Sequence, residues 1–185
     1  TISPCWTRDS DSLYFWGGGT GGTPTGGTGP FGDNTTGNGN YAYIESSFAP
    51  AASTAWLETP HINLDSLSFP EIRFWYHMWA QNGTQGTLVW EVDSGNGIRN
   101  SLGSHSGNKG FQWLEQVTDI RAYVGTTIKL RFRATVGNGA TTQQGDIAID
   151  DLTIADGLSC PAPDSLQLVS RTSSTLAVDW LTGSA

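Results

Sequence analysis

Charged residues, and cations above all, are scarce in this sequence. Only 14 % of its 185 residues are charged, whereas typical soluble domains carry about 25 %. Nine Lys and Arg face 17 Asp and Glu, which leaves a net charge of −8. With so few cations we expect no extended basic surface that could neutralise a phosphate backbone, and nucleic acid is therefore a poor candidate partner.

Cysteines and long apolar runs are also scarce. No run of about 18 apolar residues occurs, so we expect no membrane-spanning segment, and no charged and apolar leader opens the chain. The two cysteines, Cys5 and Cys160, are too far apart for a CxxC metal or redox pair. Two interpretations stay open: a disulfide that joins the first strand to the last, as an oxidising compartment allows, or two unrelated thiols.

Aromatic residues and glycine are abundant. Eight Trp, seven Phe and five Tyr can build the core of one folded domain. Residues 17–40 contain many of the 24 Gly and almost no apolar side chain, so we expect a long loop that is functional or organised by an ion. From Tyr41 onward, short alternating runs between Gly, Asn, Pro and Ser clusters predict an all-β protein.

The alternation predicts seven strands in the main part of the chain. They cover Tyr41–Ser46, Ala55–Glu58, Glu71–Trp79, Thr87–Asp93, Gln112–Asp119, Thr127–Thr135 and Asp146–Ala155. In three of them the apolar residues occupy alternate positions, as expected for strands that pack on one face only. Beyond a Pro-rich connector, residues 165–180 contain two further alternating runs. We therefore expect a sandwich domain over residues 1–160 and a truncated β-module over residues 161–185.

Ordered motifs over residues 5–160 resemble a MAM domain. They include Cys5-Trp6, Trp16, Thr28-Gly29-Pro30, Gly39-Asn40-Tyr41, Leu57-Glu58-Thr59-Pro60, Phe74-Trp75-Tyr76-His77-Met78, Gly86-Thr87-Leu88, Trp113 and Gly145-Asp146-Ile147-Ala148-Ile149-Asp150-Asp151. The resemblance implies a jelly-roll β-sandwich of two antiparallel sheets, found in extracellular multidomain proteins as an adhesion, assembly or ligand-binding module without catalytic activity. The low cysteine count looks more like secreted bacterial members, and residues 160–180 resemble the first strands of a fibronectin type III module.

The sequence departs from the family pattern in two places. No counterpart of the family's first strand precedes Thr1, and the cysteine that usually stands ahead of the aromatic strand is absent between Phe69 and Phe74. If the first strand is missing, one sheet edge is left open. An open edge favours pairing with another copy of the chain, so self-association through this edge is a hypothesis that the sequence raises.

Four oxygen-bearing residues form a candidate calcium site. Asp33 and Asn34 lie in the glycine-rich loop, and Asp150 and Asp151 lie in the last strand of the domain. Ca²⁺ takes about six to eight oxygen ligands, and a glycine-rich loop can fold its carbonyls around the ion. The resemblance implies a structural cation between this loop and this strand. The alternative is that Asp33 caps a turn and Asp150 is solvated.

A second candidate site lies on the polar face of the sheet. It combines three ring-bearing residues of one strand with four charged residues of neighbouring strands: Trp75, His77 and Trp79 with Glu91, Asp93, Arg131 and Arg133. Flat aromatic side chains flanked by charged groups suit sugar rings, whose faces are apolar and whose rims are hydroxylated. The alternative is that loops cover the tryptophans, while the charged groups pair across strands for ~0.2–1 kcal/mol each.

No catalytic motif in the sequence is complete. Trp90–Asp93 resembles the beginning of a glycosidase ExDxxE motif, but Gly95 and Asn96 replace the end that would hold the third acid. The histidines form no HExxH pattern, and GxSxG is absent. We expect a non-catalytic extracellular module, secreted or at the cell surface and stabilised by calcium. Its expected partner is a cell-surface protein or, alternatively, a polysaccharide degraded by an enzyme to which the module is attached.

Overall fold

A computed structural model describes residues 2–9, 14–47, 49–82, 84–137, 144–157, 165–172, 174 and 176–181. Over these residues the chain forms mainly strands, with a 3₁₀ turn at Arg121–Tyr123. The strands are β1 (Thr7–Arg8), β2 (Trp16–Gly19), β3 (Tyr41–Ile44), β4 (Thr54–Glu58), β5 (Ile62–Asn63), β6 (Pro70–Met78), β7 (Thr87–Asp93), β8 (Arg99–Ser106), β9 (Leu114–Asp119), β10 (Thr127–Thr135), β11 (Ile147–Asp156), β12 (Ser165–Arg171) and β13 (Leu176–Leu181).

Strands β1 to β11 form two antiparallel sheets. Sheet A has the order β1-β4-β10-β7-β8, with β5 also paired to β10, and sheet B has the order β2-β3-β11-β6-β9. Both β10 and β11, late in the chain, return to lie between strands from earlier in it, in the runs β4-β10-β7-β8 and β3-β11-β6-β9. Such returns are typical of the Greek keys of a jelly roll. The predicted all-β jelly-roll sandwich of two antiparallel sheets is confirmed.

The inner faces of the two sheets form the core. In β6, Ile72, Phe74 and Met78 are fully buried. The ring centroid of Phe74 lies 5.5 Å from that of Trp90 on β7 and 4.9 Å from that of Phe132 on β10. Sheet B therefore packs on sheet A through the residues that the alternation places inward. The core faces predicted for β6, β7 and β10 are confirmed.

Besides the two-residue strands β1 and β5, two longer strands of the sandwich were not predicted. The structure corrects the prediction that residues 17–40 are loop throughout, because Gly17–Gly19 belong to β2 and pair with β3. A Cβ on Gly19 would lie only 2.9 Å from Tyr41 Cζ, because the Tyr41 ring covers this position. The neighbouring strand thus supplies the side-chain packing that the glycine lacks. The other is β8, whose sequence RNSLGSHS has no apolar alternation.

Several predictions concern the ends of the chain. Cys5 is exposed, whereas Cys160 lies outside the described residues, so the disulfide stays a prediction. β12 and β13 pair as a two-stranded antiparallel ribbon, and the boundary at residue 160 stays a prediction. Within the described part of the chain, no helix has the length and apolar character needed to cross a bilayer. β1 pairs only two residues with β4, and self-association at this edge stays a prediction.

Candidate functional site

A group of rings, named here the aromatic cleft, lies on the outer face of sheet B beyond the end of β6. It consists of Phe31, His77, Trp79, Phe111 and Trp113. Phe111 is at the centre, with ring centroids 4.8 Å from Phe31, 4.7 Å from Trp79 and 5.5 Å from His77. Trp113 lies 5.5 Å from His77. These rings, except Trp79, line a cavity of about 300 Å³.

Three hydrogen bonds hold the segments that build the cleft. The backbone N–H of Lys109 donates to the carbonyl of Met78 at 2.7 Å, and Asn108 Nδ2 donates to the carbonyl of Ala80 at 2.6 Å. These bonds fix the segment before β9 onto the end of β6. Trp113 Nε1 donates to the carbonyl of Gly32 at 3.1 Å. The glycine-rich loop is thereby attached to the same place.

The mouth of the cleft is apolar and exposed. Phe31 is 73 % exposed and Phe111 is 46 % exposed, although their rings touch each other. Asp33 also lines the cleft, and its carboxylate accepts hydrogen bonds from the backbone N–H groups of Gly39 at 2.6 Å and Thr36 at 3.0 Å. Burial would raise the pKa of Asp33, but these hydrogen bonds outweigh it and hold the pKa below its usual value.

His77 forms the floor of the cleft. It is only 2 % exposed because Phe111 and Trp113 cover it. Burial lowers the pKa of His77 to about 4, so the ring is neutral at pH 7. Its Nδ1 has no hydrogen-bond partner among the described residues. The imidazole therefore acts as part of an apolar wall.

The seven residues predicted for the sugar site do not come together. Trp75, His77 and Trp79 belong to or follow β6 of sheet B, whereas β7 and β10, with the four charged residues, belong to sheet A. The outer faces of a two-layer sandwich point away from each other, so the predicted single face is corrected to two. Trp75 and Trp79 are both half-buried, and Trp79 contacts the cleft through Phe111.

The charged residues on sheet A are paired within their own face. Arg133 Nη2 lies 3.0 Å from Glu91 Oε1, and Arg131 Nη2 lies 2.9 Å from Glu58 Oε2. Asp93 Oδ1 accepts hydrogen bonds from two backbone N–H groups of the following turn, at 2.9 and 3.1 Å. The cross-strand pairing that the sequence offered as an alternative is therefore present for Glu91 and Arg133.

The structure does bring together the four residues predicted to bind calcium. The backbone N–H of Asn34 donates to Asp150 Oδ2 at 2.8 Å, and Asn34 Nδ2 donates to Asp151 Oδ2 at 2.9 Å. A bulge after Asp150, with Asp151 at a positive φ of 48°, directs both carboxylates toward the loop. N–H donors of the chain occupy oxygens of all three carboxylates, including that of Asp33. An ion at this place stays a prediction.

Another group of carboxylates, Glu45 and Asp146, was not predicted from the sequence. Asp146 is fully buried, and its Oδ1 accepts the backbone N–H of Ser46 at 2.8 Å. Glu45 Oε1 accepts the hydroxyl of Thr25 at 2.9 Å. The other oxygen of each carboxylate, Glu45 Oε2 and Asp146 Oδ2, is buried and accepts no hydrogen bond from the described residues, although the side chain of Thr23 lies close enough to Asp146 to lower its pKa. Burial raises the pKa of Asp146 to about 7, and the charge of Glu45 adds to the effect.

Comparisons with known proteins agree with this architecture. Residues 3–161 match the family described as MAM domain, meprin/A5/mu. Zebrafish (Danio rerio) neuropilin-1a is 29 % identical over 182 residues, which covers 86 % of this chain and 17 % of that protein. Two solved structures share the fold. The K1 cleaved adhesin domain of Lys-gingipain from Porphyromonas gingivalis W83 has a TM-score of 0.59 at 17 % identity and covers 84 % of this chain and 93 % of its own. TmCBM61 in complex with β-1,4-galactotriose has a TM-score of 0.54 at 15 % identity and covers 84 % and 90 %.

Proposed function

Because the chain belongs to the MAM domain family, an extracellular adhesion module, we propose that it is a non-catalytic module, secreted or at the cell surface, that binds a cell-surface protein through the aromatic cleft. One observation carries the proposal. Phe31 and Phe111, two adjacent phenylalanines, are exposed to 73 % and 46 % at the mouth of a formed cavity. Exposed apolar groups that adjoin one another mark interaction sites on soluble proteins.

The shape and polarity of the cleft favour a protein partner. The rings of Phe31 and Phe111 are inclined by 58° to each other, so they do not form one flat platform. Their side chains carry no hydrogen-bonding group, and the carboxylate of Asp33 is engaged by its own loop. A partner side chain that packs against such rings in a pocket sealed from water is typical of an interface hot spot.

The experiment measures adhesion of the fluorescently labelled chain to cultured animal cells, before and after surface proteins are removed with trypsin. We expect binding to intact cells and loss of binding after trypsin treatment. Soluble β-1,4-galactan and xylan should not compete. Binding that survives trypsin and is displaced by either polysaccharide would contradict a protein partner.

A carbohydrate ligand is the second candidate, and the size of the cavity favours it. A volume of about 300 Å³ lies at the lower end of the range for small-ligand pockets. β-1,4-Galactotriose, the ligand named for TmCBM61, supplies the probe. Calorimetric binding of this trisaccharide that is lost in Phe111→Ala, and kept in Phe69→Ala, would support this second function. Absence of heat at millimolar trisaccharide would remove it.

The calcium stabilisation expected from the sequence is also part of the proposal. Glu45 and Asp146 fit a hard cation better than the predicted ligand set, because each keeps a buried oxygen that accepts no hydrogen bond from the described residues. A bound Ca²⁺ would supply the positive charge that these two buried oxygens otherwise lack. The hydroxyl of Thr25, in the glycine-rich loop, lies against the carboxylate of Glu45.

Residues 161–185 are proposed, from sequence alone, to begin a fibronectin type III-like module.

A further inference from the structure

Four of the nine lysine and arginine side chains lie together on the outer face of sheet A. They are Arg99 on β8 and Lys129, Arg131 and Arg133 on β10. The antiparallel register puts them on the same side of the sheet as Glu58, Glu91 and Asp93. Those are three of the 17 acidic residues of the protein. An acidic chain therefore concentrates its few cations on one surface, which the composition does not reveal.

The positive charge on this face exceeds what its acids neutralise. Glu58 alone accepts Arg99 at 2.9 Å, Arg131 at 2.9 Å and Lys129 at 3.3 Å. Burial would raise the pKa of Glu58, but the three cations outweigh it and lower the pKa, so the carboxylate is charged. With Glu91 and Asp93 counted as well, the four cations face three carboxylates, which leaves an excess of one positive charge. Arg99 and Lys129 are 31 % and 30 % exposed, so N–H groups that Glu58 does not use reach solvent.

The outer face of sheet B has the opposite balance. There Arg73 stands between Glu71 and Glu115, at 2.7 and 2.5 Å, so one cation faces two carboxylates. At physiological salt the Debye length is about 8 Å. The negative charge elsewhere on the molecule is therefore largely screened from an anion that approaches sheet A, and the two faces present different potentials to solvent.

The uncharged groups of the same face are mostly hydroxyls. Thr54 and Thr135 lie 3.3 Å apart, and Thr87 and Ser106 lie 2.9 Å apart, between their side-chain oxygens. Since Thr87 is also the register partner of Thr135, the four hydroxyls form a row across β4, β10, β7 and β8. The one large ring of the face, Trp56, is covered by the guanidinium of Arg131 at 4.1 Å. The face lacks the apolar centre of a protein interface.

We propose that the outer face of sheet A binds an anionic polysaccharide, one whose sugar rings carry sulfate or carboxylate groups, at a site separate from the aromatic cleft. The guanidinium and ammonium groups would contact the anionic substituents, because Arg and Lys form charge-assisted hydrogen bonds with such oxygens. The row of hydroxyls would contact the sugar hydroxyls. A flat polar sheet with a few cations suits an extended polymer, which can lie along it.

The test uses the full chain and matched polymers in a surface-binding assay. Dextran sulfate and polygalacturonate are the sulfated and carboxylated probes, and dextran and methyl-esterified pectin are their neutral counterparts. We expect at least one anionic polymer to bind with an affinity that falls about tenfold or more between 50 and 500 mM NaCl. Neutral polymers should not bind. Equal binding of the neutral polymers, or selective binding of poly-glutamate or duplex DNA, would overturn the proposal.

Two sets of variants locate the site. Arg99→Gln with Lys129→Gln should lower the affinity for the bound polymer at least tenfold. The control, Arg73→Gln with Arg121→Gln, makes the same charge change on sheet B and at the 3₁₀ turn and should leave the affinity within twofold. Arg133 has a side chain that is 37 % exposed and pairs only with Glu91 in the salt bridges described. Arg133→Gln therefore tests the face if the double variant fails to fold. Equal losses in face and control variants contradict the proposal.

Discussion

Individual residues of the sandwich differ sharply in how well their polar atoms are satisfied. Asp33, Asp150 and Asp151 accept hydrogen bonds from the glycine-rich loop, whereas Glu45 and Asp146 each keep a buried oxygen that accepts no hydrogen bond from the part of the chain that the structure describes. Leaving such an oxygen unpaired costs about 1–3 kcal/mol, and more for a charged group. An ion at Glu45 and Asp146 would offset this cost, while an ion at the other site would have to displace existing hydrogen bonds.

The two calcium positions can be separated by mutation. We expect millimolar Ca²⁺ to raise the melting temperature of the wild-type chain relative to EDTA. Calcium at 100 times its Kd would stabilise the fold by about 2.7 kcal/mol. Asp146→Asn should remove the calcium-dependent increase, and Asp150→Asn should keep it. If Asp146→Asn keeps the calcium-dependent increase and Asp150→Asn loses it, the result would favour the predicted ligand set. Identical melting temperatures in Ca²⁺ and in EDTA would rule out both calcium positions.

His77 makes the stability of the protein depend on pH. Burial lowers the pKa of His77 to about 4, below the value near 6.5 of an unfolded chain. Between these values the unfolded state binds the proton and the folded state does not, so stability falls as the pH decreases from about 6.5 to 4. The loss attributable to His77 is on the order of 2 kcal/mol at pH 4.5.

The measurement is urea unfolding at pH 7 and at pH 4.5 for wild type and His77→Gln. Asp146 also titrates in this interval, so the comparison between the two proteins isolates the histidine. The wild type should lose more stability than the variant. An equal loss in both proteins would show that His77 does not resist protonation in the fold.

At the scale of elements, the sequence predicted strands well where one face is buried. β6, β7 and β10 alternate large apolar and polar residues, and their cores were predicted residue by residue. β8 lies at the edge of sheet A and lacks that pattern. It belongs to the sheet because Gly103 lets the Trp90 ring lie against the backbone, a contact between residues that are not neighbours in sequence. A single sequence carries no local signal for it.

The role of Gly103 can be tested directly. A Cβ at this position would lie 2.2 Å from Trp90 Cζ2, so Gly103→Ala forces the indole or the strand to move. Such overpacking typically costs about 1–3 kcal/mol. Denaturant unfolding should show this loss for Gly103→Ala, and little change for Ser104→Ala, an exposed neighbour on β8. Wild-type stability of Gly103→Ala would mean that Trp90 does not depend on the glycine.

The candidate site could be predicted only in part, because it too depends on contacts between residues that are distant in the sequence. The strand alternation correctly places Trp75, His77 and Trp79 on the face opposite the core. It cannot show which sheet each strand joins, so the sequence combined residues from two opposite surfaces. Phe31 and Phe111 were missed because they lie in loops, where no periodicity marks them. Their sequence signal is only that each is a large apolar residue in a polar segment.

The whole molecule presents two surfaces of different chemistry on one jelly roll. The outer side of sheet B carries the exposed rings of Phe31 and Phe111, and the outer side of sheet A carries four of the nine cations. Both surfaces lie on strands or on loops attached to strands. The core between them contains Phe74, which packs on rings of the opposite sheet. The two surfaces are therefore separate, and each of the two proposed ligands can be tested without the other.

The central claim is that the aromatic cleft is the adhesive surface. The most direct measurement compares the affinity for intact animal cells of the wild-type chain, the double variant Phe31→Ala with Phe111→Ala, and Phe69→Ala. Phe69 is exposed to 47 %, close to the 46 % of Phe111, but lies outside the cleft. We expect at least a tenfold loss of affinity in the double variant, with the melting temperature and the Phe69→Ala affinity unchanged. Wild-type affinity in a folded double variant would contradict the claim.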